Sequence, residues 1–330
     1  MELLTKVTLP EIPCKITHKE AILLLGSCFA TNIGESLKKA KFNALSNPYG
    51  VLYNPASIGR VIERALSKRP YTEGDLFNEG DLFHSYDHHS CFSSVDSRKM
   101  LRTMNAARKK TAAVLKSGSH TIITLGTAYV YCLKSDGHVV ANCHKQPDRL
   151  FTRSRMSVNE IVALWRPLIA RIRKLNPAMK FIFTVSPIRH LKDGLHENQL
   201  SKATLLLAIE ALKGETGDIF YFPSYEIMID ELRDYRFYAE DMAHPSPTAV
   251  KFIWEQFKNC LTDNNTRLAI DEWQALTRAI EHRPLTPESE QYKYFLSQTL
   301  LKIEEHTKKF PYFDTANETE QIKARLSRLL

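Results

Sequence analysis

The sequence predicts a three-layer α/β protein with a doubly wound, mostly parallel sheet and a C-terminal helical extension. Short apolar runs alternate with helical patterns at least four times, which is typical of strands covered on both faces. The predicted strands cover residues 21–25, 121–125, 180–185 and 219–222. Beyond about Asn264 only helical patterns remain. We therefore divide the chain into an α/β domain, residues 1–263, and a helical extension, residues 264–330, that packs on the core or at a dimer interface.

Capping residues indicate where several helices begin. Asn54 is an N-cap with Pro55 at the first helical position, and Ser157-x-x-Glu160 is a capping box. Asn198 is expected to cap a helix of its own. The predicted helices of the α/β domain cover residues 30–40, 54–66, 96–116, 157–175, 198–212 and 248–260. Residues 129–133 and 138–141 predict a hairpin, and residues 286–291 and 318–330 predict amphipathic helices in the extension.

The composition limits the classes of function. The 330 residues are 43% hydrophobic and carry a formal net charge of +8, but Lys and Arg are intermixed with apolar residues on helical stretches, so we expect no nucleic-acid partner. We see neither a signal peptide in the first 14 residues nor a membrane-spanning run, and expect a cytoplasmic protein without membrane contact. The six cysteines form no Cys-x-x-Cys pair, so we expect no metal and no cofactor. They are Cys14, Cys28, Cys91, Cys132, Cys143 and Cys260.

The turn after the first predicted strand has the composition of a catalytic turn. In open α/β sheets, ligands bind outside the carboxyl ends of the strands. Gly26 suits a tight turn, and Cys28 lies at a helix N-terminus, where free N–H groups and the helix dipole favour a thiolate. The alternative is structural, with Ser27 as a helix cap and Cys28 as a small buried residue.

A second sequence feature is Asp241-Met-Ala-His244, just past the last predicted strand. This spacing can bring the carboxylate against one ring nitrogen of the histidine and leave the other nitrogen as a general base. An isolated Asp and His near a proline are more often structural. Together with a nucleophile in the first strand turn, the pair predicts a catalytic site.

At these residues the sequence resembles the GSCFA-domain proteins, a branch of the SGNH/GDSL hydrolase-like superfamily. The resemblance covers roughly residues 20–260 and implies a flavodoxin-like three-layer fold. It is carried by residues 26–30 (GSCFA), 47–55 (NPYGVLYNP), 125–128 (LGTA), 142–145 (NCHK) and 241–246 (DMAHPS).

The resemblance implies roles for individual residues. Cys28 falls at the nucleophile position, with Ser27 as the alternative, and Asp241 and His244 match the last block fully. Gly50, Gly126 and Thr127 fall where oxyanion donors are expected. The third block lacks its usual asparagine, which Asn142, Asn47 or the Thr127 hydroxyl could replace. The mechanism requires the Cys28 thiol or the Ser27 hydroxyl to come within hydrogen-bond reach of His244.

The implied function is hydrolysis of acyl esters on a small substrate, such as an acylated carbohydrate, by a Cys or Ser/His/Asp mechanism. The alternatives are an O-acyltransferase that modifies a carbohydrate and a catalytically inactive, ligand-binding relative. A metal-dependent hydrolase built on His84, His88 and His144 is a further hypothesis, although adjacent histidines rarely point the same way. The predicted substrate-binding residues are Asn47, Asn142, His144, Lys145 and His190.

Overall fold

The computed structural model describes residues 5–214 and 217–329. Residues 1–4, 215–216 and 330 lie outside it. They include the first residues of the predicted α/β domain and the last residue of the predicted extension. The strands are β1 (Ile22–Gly26), β2 (Ala44–Ser46), β3 (Phe77–Glu79), β4 (Leu82–His84), β5 (His120–Leu125), β6 (Tyr129–Leu133), β7 (Val139–Val140), β8 (Phe151–Arg155), β9 (Lys180–Val185) and β10 (Ile219–Tyr221). The helices are α1 (Cys28–Lys39), α2 (Pro55–Leu66), α3 (Ser97–Ser117), α4 (Val158–Leu175), α5 (Leu195–Lys213), α6 (Ser224–Glu226), α7 (Pro247–Leu261), α8 (Asn264–Glu281), α9 (Glu290–Lys309) and α10 (Ala316–Ser327).

The central sheet has five parallel strands in the order β10-β9-β5-β1-β2. Renumbered along the sheet's own strands, this is the 2-1-3-4-5 order of doubly wound proteins. The strand order reverses between β1 and β5, which places a crevice at the carboxyl ends of these two strands. The predicted fold class is confirmed.

Helices cover both faces of the sheet, because alternate side chains of each strand point to opposite sides. Leu23 and Leu25 of β1 pack in one core with α2, α3, α4 and α5. Ile22 and Leu24 pack in the other core with α1 and α7. The two cores hold the carboxyl ends of the strands in fixed positions. No helix in the described ranges is both long and apolar enough to cross a membrane.

Three details differ from the sequence prediction. Strand β2 was not predicted, because three half-buried residues leave no apolar run. Strand β8 pairs antiparallel with β6 beside the predicted hairpin and was also missed, since only Phe151 of its five residues is buried. The prediction that Asn198 caps a helix was wrong. Helix α5 begins at Leu195, and the Asn198 side chain accepts a hydrogen bond from the His190 N–H at 3.0 Å.

The extension packs on the α/β core through specific contacts. The indole N–H of Trp273 donates to the Lys39 carbonyl at 3.1 Å, and Lys41 forms an ion pair with Glu318 at 2.7 Å. The His18 and Phe313 rings pack in a tilted arrangement, with their centroids 4.6 Å apart. Helix α8 begins directly after the predicted boundary at residues 263 and 264, with an Asp263 cap. A homodimer stays a prediction.

Gly26 ends β1 in a conformation that other residues avoid, with φ of +144°. A Cβ atom at this position would lie 2.1 Å from the Thr124 carbonyl oxygen of β5, which is far inside van der Waals contact. The absence of a side chain therefore lets the chain turn between two paired strands and enter α1.

We expect Gly26→Ala to lower the free energy of unfolding by about 3 kcal/mol or more, because it adds a backbone clash to an unfavourable φ. Chemical denaturation of the two proteins measures this difference. Gly137→Ala is the matched control, since Gly137 also has a positive φ, +74°, but no atom within 4 Å of an added Cβ. It should cost only about 1 kcal/mol, and equal losses would contradict the clash.

Candidate active site

Ser27 and Cys28 lie side by side at the start of α1 but in different surroundings. Ser27 is 1% exposed; its hydroxyl donates to the Ser186 hydroxyl at 2.9 Å and accepts from the Phe29 N–H at 3.3 Å. It caps the helix and does not line the cavity described below. Cys28 is half-buried and lines that cavity. Of the two predicted nucleophiles, only Cys28 is placed to meet a substrate.

The Cys28 thiol is held in a mixed environment. Burial raises the pKa of the thiol above its ordinary value, while the backbone N–H groups of Cys28 and Phe29 act in the opposite direction. These N–H groups belong to the first turn of α1, as expected for a cysteine at a helix N-terminus. Lys202 also lowers the pKa and Asp241 raises it. The thiol therefore needs a base or a nearby cation to ionise at neutral pH.

Asp241 and His244 form the predicted pair. The Asp241 carboxylate accepts a hydrogen bond from His244 Nδ1 at 2.6 Å and from the backbone N–H groups of Ala243 and His244 at 3.0 and 2.9 Å. These backbone hydrogen bonds, together with the His244 ring, lower the pKa of Asp241 to about 2. The carboxylate holds Nδ1, and within the described residues no hydrogen bond occupies Nε2. His244 is oriented as a general base would be.

A cavity of about 530 Å³ opens at the strand-order reversal and brings the two parts together. The Cys28 thiol and the His244 ring line the same cavity but do not hydrogen-bond to each other, and the Ser27 hydroxyl bonds to Ser186. The predicted hydrogen bond between the nucleophile and His244 is therefore not formed in this structure. Of the predicted site residues, Cys28, Thr127, Asn142, His190, Asp241 and His244 line the cavity. Ser27, Asn47, Gly50, Gly126, His144 and Lys145 do not.

The backbone N–H groups predicted for the oxyanion are committed elsewhere. The Gly50 N–H donates to the Asn47 carbonyl at 2.8 Å, and those of Gly126 and Thr127 donate to the Tyr53 carbonyl at 2.7 and 3.0 Å. None of the three is free to bind a ligand. The Gly50 N–H closes a turn within the loop before α2, and those of Gly126 and Thr127 join this loop to the end of β5.

Side chains near the crevice offer other donors. The Asn47 side chain ties the loop to α1 by donating to the Ser27 carbonyl and the Thr31 hydroxyl, and is not available. The Thr127 hydroxyl lies on the cavity wall, 3.1 Å from the Ser201 hydroxyl. Asn142 lines the cavity, and its side-chain oxygen accepts a hydrogen bond from the His144 N–H.

Asn54 is a cavity residue that the sequence prediction treated only as a helix cap. Its side-chain oxygen accepts from the Ser57 N–H at 2.7 Å and caps α2, while the residue, 6% exposed, lines the cavity. No acceptor in the described part of the chain pairs with its amide nitrogen. The cap therefore fixes the orientation of the Asn54 amide as a hydrogen-bond donor. The sequence predicted that Asn54 caps α2, but not that its amide nitrogen lies at the cavity.

The remaining predicted residues have separate surroundings. His144 is buried, and its Nε2 pairs with the Ser85 carbonyl at 2.9 Å, away from the cavity. Lys145 is exposed. His190 lines the cavity, and burial, together with Lys202 and His244, lowers its pKa to about 4. No group of three or more His, Cys, Asp or Glu side chains within residues 5–214 and 217–329 is arranged to hold a metal ion.

The three-stranded sheet β7-β6-β8 forms one wall of the cavity. Tyr129 and Tyr131 of β6 present their rings there, and the Arg153 guanidinium lies 3.9 Å from the Tyr129 centroid. Arg153 is also paired with Asp193, and Lys192 donates to the Tyr131 hydroxyl at 3.1 Å. This wall combines aromatic faces with fixed cations and suits a polar organic ligand.

Fold and site together define a three-layer α/β protein with a cysteine, histidine and aspartate at the strand-order reversal. The chain belongs to the GSCFA family, whose model matches residues 21–257. A second model, the C-terminal domain of GSCFA domain proteins, matches residues 273–328. The family resemblance predicted from the sequence is confirmed. A comparison with curated proteins finds no significant match.

Six chains of solved structures have detectable similarity, and two of them are esterases. A carbohydrate esterase family 3 protein from Talaromyces cellulolyticus is 11% identical, with a TM-score of 0.34; the match covers 76% of this chain and 99% of that chain. An acetyl xylan esterase from the rumen bacterium Butyrivibrio proteoclasticus is 12% identical, with a TM-score of 0.36, over 74% of this chain and 64% of that chain. Neither similarity is high enough to transfer an activity to this chain.

The surroundings of Asp241 predict its titration. Its carboxylate should protonate with a midpoint near pH 2, against about 3.9 in an unfolded chain. Because the folded pKa is the lower one, the ionised group favours the folded state above about pH 4, and this contribution is lost as the pH falls toward 2. NMR of the carboxyl carbon measures the midpoint. In His244→Ala it should rise only part of the way, since the two backbone N–H donors remain, and a midpoint at the unfolded value would contradict this account.

Proposed function

We propose that this protein transfers acyl groups from esters, with Cys28 as nucleophile and His244, oriented by Asp241, as general base and acid. The observation that carries the proposal is the shared cavity: the half-buried thiol at a helix N-terminus and the Asp241–His244 pair line one concave surface. Such a nucleophile, base and orienting carboxylate recur in acyl-transfer enzymes of unrelated folds.

The proposed reaction has two steps. His244 Nε2 takes the thiol proton, Cys28 Sγ bonds to the ester carbonyl carbon, and the carbonyl oxygen becomes an oxyanion. The ester C–O bond then breaks, and the leaving alkoxide takes the proton from the His244 imidazolium. In the second step a water molecule, deprotonated by His244, attacks the thioester. The bond between the acyl carbon and Cys28 Sγ then breaks, the acid leaves, and the sulfur takes back the proton from the His244 imidazolium.

The oxyanion needs donors, because its charge develops in a partly buried site. The Cys28 N–H is available, since it lies in the first turn of α1 and forms no backbone hydrogen bond within the described residues. We assign the second donor to the Asn54 amide, in place of the asparagine that the third block lacks. The Asn54 cap to Ser57 fixes the direction of this amide without help from a substrate.

The cavity also has room for an acyl acceptor. Tyr129 and Tyr131 line the same cavity as Cys28 and supply aromatic surface against which a sugar could pack. If a sugar hydroxyl replaces water in the second step, the same residues give an O-acyltransferase. A ligand-binding protein without catalysis is the third outcome, and the experiment below separates all three.

Incubation with 4-nitrophenyl acetate should release nitrophenol and leave one acetyl group on Cys28, identified by mass spectrometry of the peptide. We expect Cys28→Ala to lose the adduct and at least about a thousandfold of the turnover. Adding a simple glycoside as acceptor distinguishes hydrolysis, which gives acetate, from transfer, which gives the acetylated sugar.

Cys91→Ala is the matched control, since Cys91 is an exposed thiol outside the cavity and its loss should change nothing. If the wild-type protein forms no adduct and its turnover equals that of Cys28→Ala, both ester hydrolysis and acyl transfer are excluded. Binding of the glycoside under those conditions would then support a ligand-binding protein.

Asn54→Asp and Asn54→Ser both test the assigned oxyanion donor. Each keeps an oxygen that caps α2, so the melting temperature should change little, but each removes the amide N–H groups. We expect the acylation rate to fall by about a hundredfold or more, as for other oxyanion donors. Asn142→Ala is the comparison variant. If it lowers the rate more than the Asn54 variants do, the donor is Asn142.

A further inference from the structure

A fully buried lysine lies beneath the active-site turn. Lys202 of α5 is 1% exposed, and its Nζ donates to the Gly126 carbonyl at 2.7 Å and to the Ser186 carbonyl at 2.8 Å. These two carbonyls directly follow β5 and β9. The amine therefore joins the carboxyl ends of two neighbouring strands at the floor of the crevice.

Lys202 differs from Lys258, the other buried lysine among the described residues, because it has no carboxylate partner. No ion pair to its amine is formed in the part of the chain that the structure describes, although Lys258, which is similarly buried, pairs with Glu255 and Asp271. Burying an ammonium group without an opposite charge is costly. A leucine or methionine would fill the same volume at lower cost, so the amine needs another explanation.

A short network of hydrogen bonds joins the Lys202 amine to the residue before Cys28. The Ser27 hydroxyl, one residue before Cys28, donates to the side chain of Ser186, whose carbonyl accepts from Lys202. Lys202 lowers the pKa of the Cys28 thiol, and Cys28 in turn raises that of the amine. Burial lowers the pKa of Lys202 to about 7, close to physiological pH.

Few other titratable groups face this pair. Besides Lys202 and the N-terminus of α1, Asp241 acts on Cys28 and raises the pKa of the thiol. Burial and the nearby Cys28 raise the pKa of Tyr53. On the lysine side, the Tyr225 ring lies 5.5 Å from Nζ, and His190 is held neutral in part by the amine. Asp241 is the one carboxylate among these groups, and it acts on Cys28 and not on Lys202, whose pKa is raised by Cys28 alone.

We propose that Lys202 is a positioning residue that supplies the buried positive charge against which Cys28 ionises. The inference rests on the proposed function in taking Cys28 as the nucleophile. The proton that leaves the thiol goes to His244, and the resulting thiolate is stabilised by the ammonium below it and the helix N-terminus beside it. In turn, the thiolate favours the protonated lysine, so the two groups titrate as a pair.

The test is the pH profile of Cys28 alkylation by iodoacetamide, in which the thiolate displaces iodide. This experiment needs no ester and is independent of turnover. In Lys202→Met, which keeps the buried volume, we expect the Cys28 rate at pH 7.5 to fall about tenfold and the profile to move up by about one pH unit. Lys202→Gln, which keeps an N–H donor for a strand-end carbonyl, should show the same shift if Lys202→Met proves too unstable.

Cys91 is the internal control, because its exposed thiol in the same sample should react equally in all three proteins. A folded Lys202 variant with an unchanged Cys28 profile would overturn the proposal and reduce Lys202 to a structural cross-link. A shifted profile without any acetyl adduct from the ester would support the lysine–thiol pair and reject the proposed enzymatic activity, so the two failures are distinguishable.

Discussion

The close approach of β1 and β5 at Gly26 is the constraint on which the site depends. The Ser27 N–H donates to the Thr124 carbonyl at 3.1 Å, and the same oxygen would meet a Cβ at position 26. The chain therefore leaves the sheet at once, Ser27 caps α1, and Cys28 becomes its first residue. A side chain at Gly26 would separate the strands at the point where the crevice forms.

The loop between β2 and α2 explains why the donors predicted for the oxyanion are occupied. It lies between the ends of β1 and β5 and takes up their free backbone groups. The Asn47 side chain accepts from the Gly26 N–H, and the Tyr53 carbonyl accepts from two N–H groups of the β5 end. Backbone polar groups buried in a crevice need partners. Satisfying them brings the next residue, Asn54, to the cavity wall.

Periodicity and caps predicted most of the fold, since a strand covered on both faces and a capped helix are local patterns. The apolar run of β1 and the capping box of Ser157 and Glu160 are examples. The edge strand β2 and the exposed strand β8 carry no such pattern. Of the site, the sequence indicated Cys28, Asp241 and His244, but Asn54 only as a helix cap and Lys202 only as a residue that could contact substrate. The surroundings of Asn54 and Lys202 are made by residues distant in the chain.

The charged groups around Cys28 differ in their exposure to solvent, and this difference suits them to different roles in the proposed reaction. The side chains of Asp241 and His244 are 51% and 50% exposed, so water screens their interaction with the thiol. Lys202 is 1% exposed, where the effective dielectric constant is low and a charge acts more strongly. We therefore assign the proton of the thiol to the exposed pair, which exchanges with solvent, and the stabilisation of the proposed thiolate to the buried amine, which water screens least.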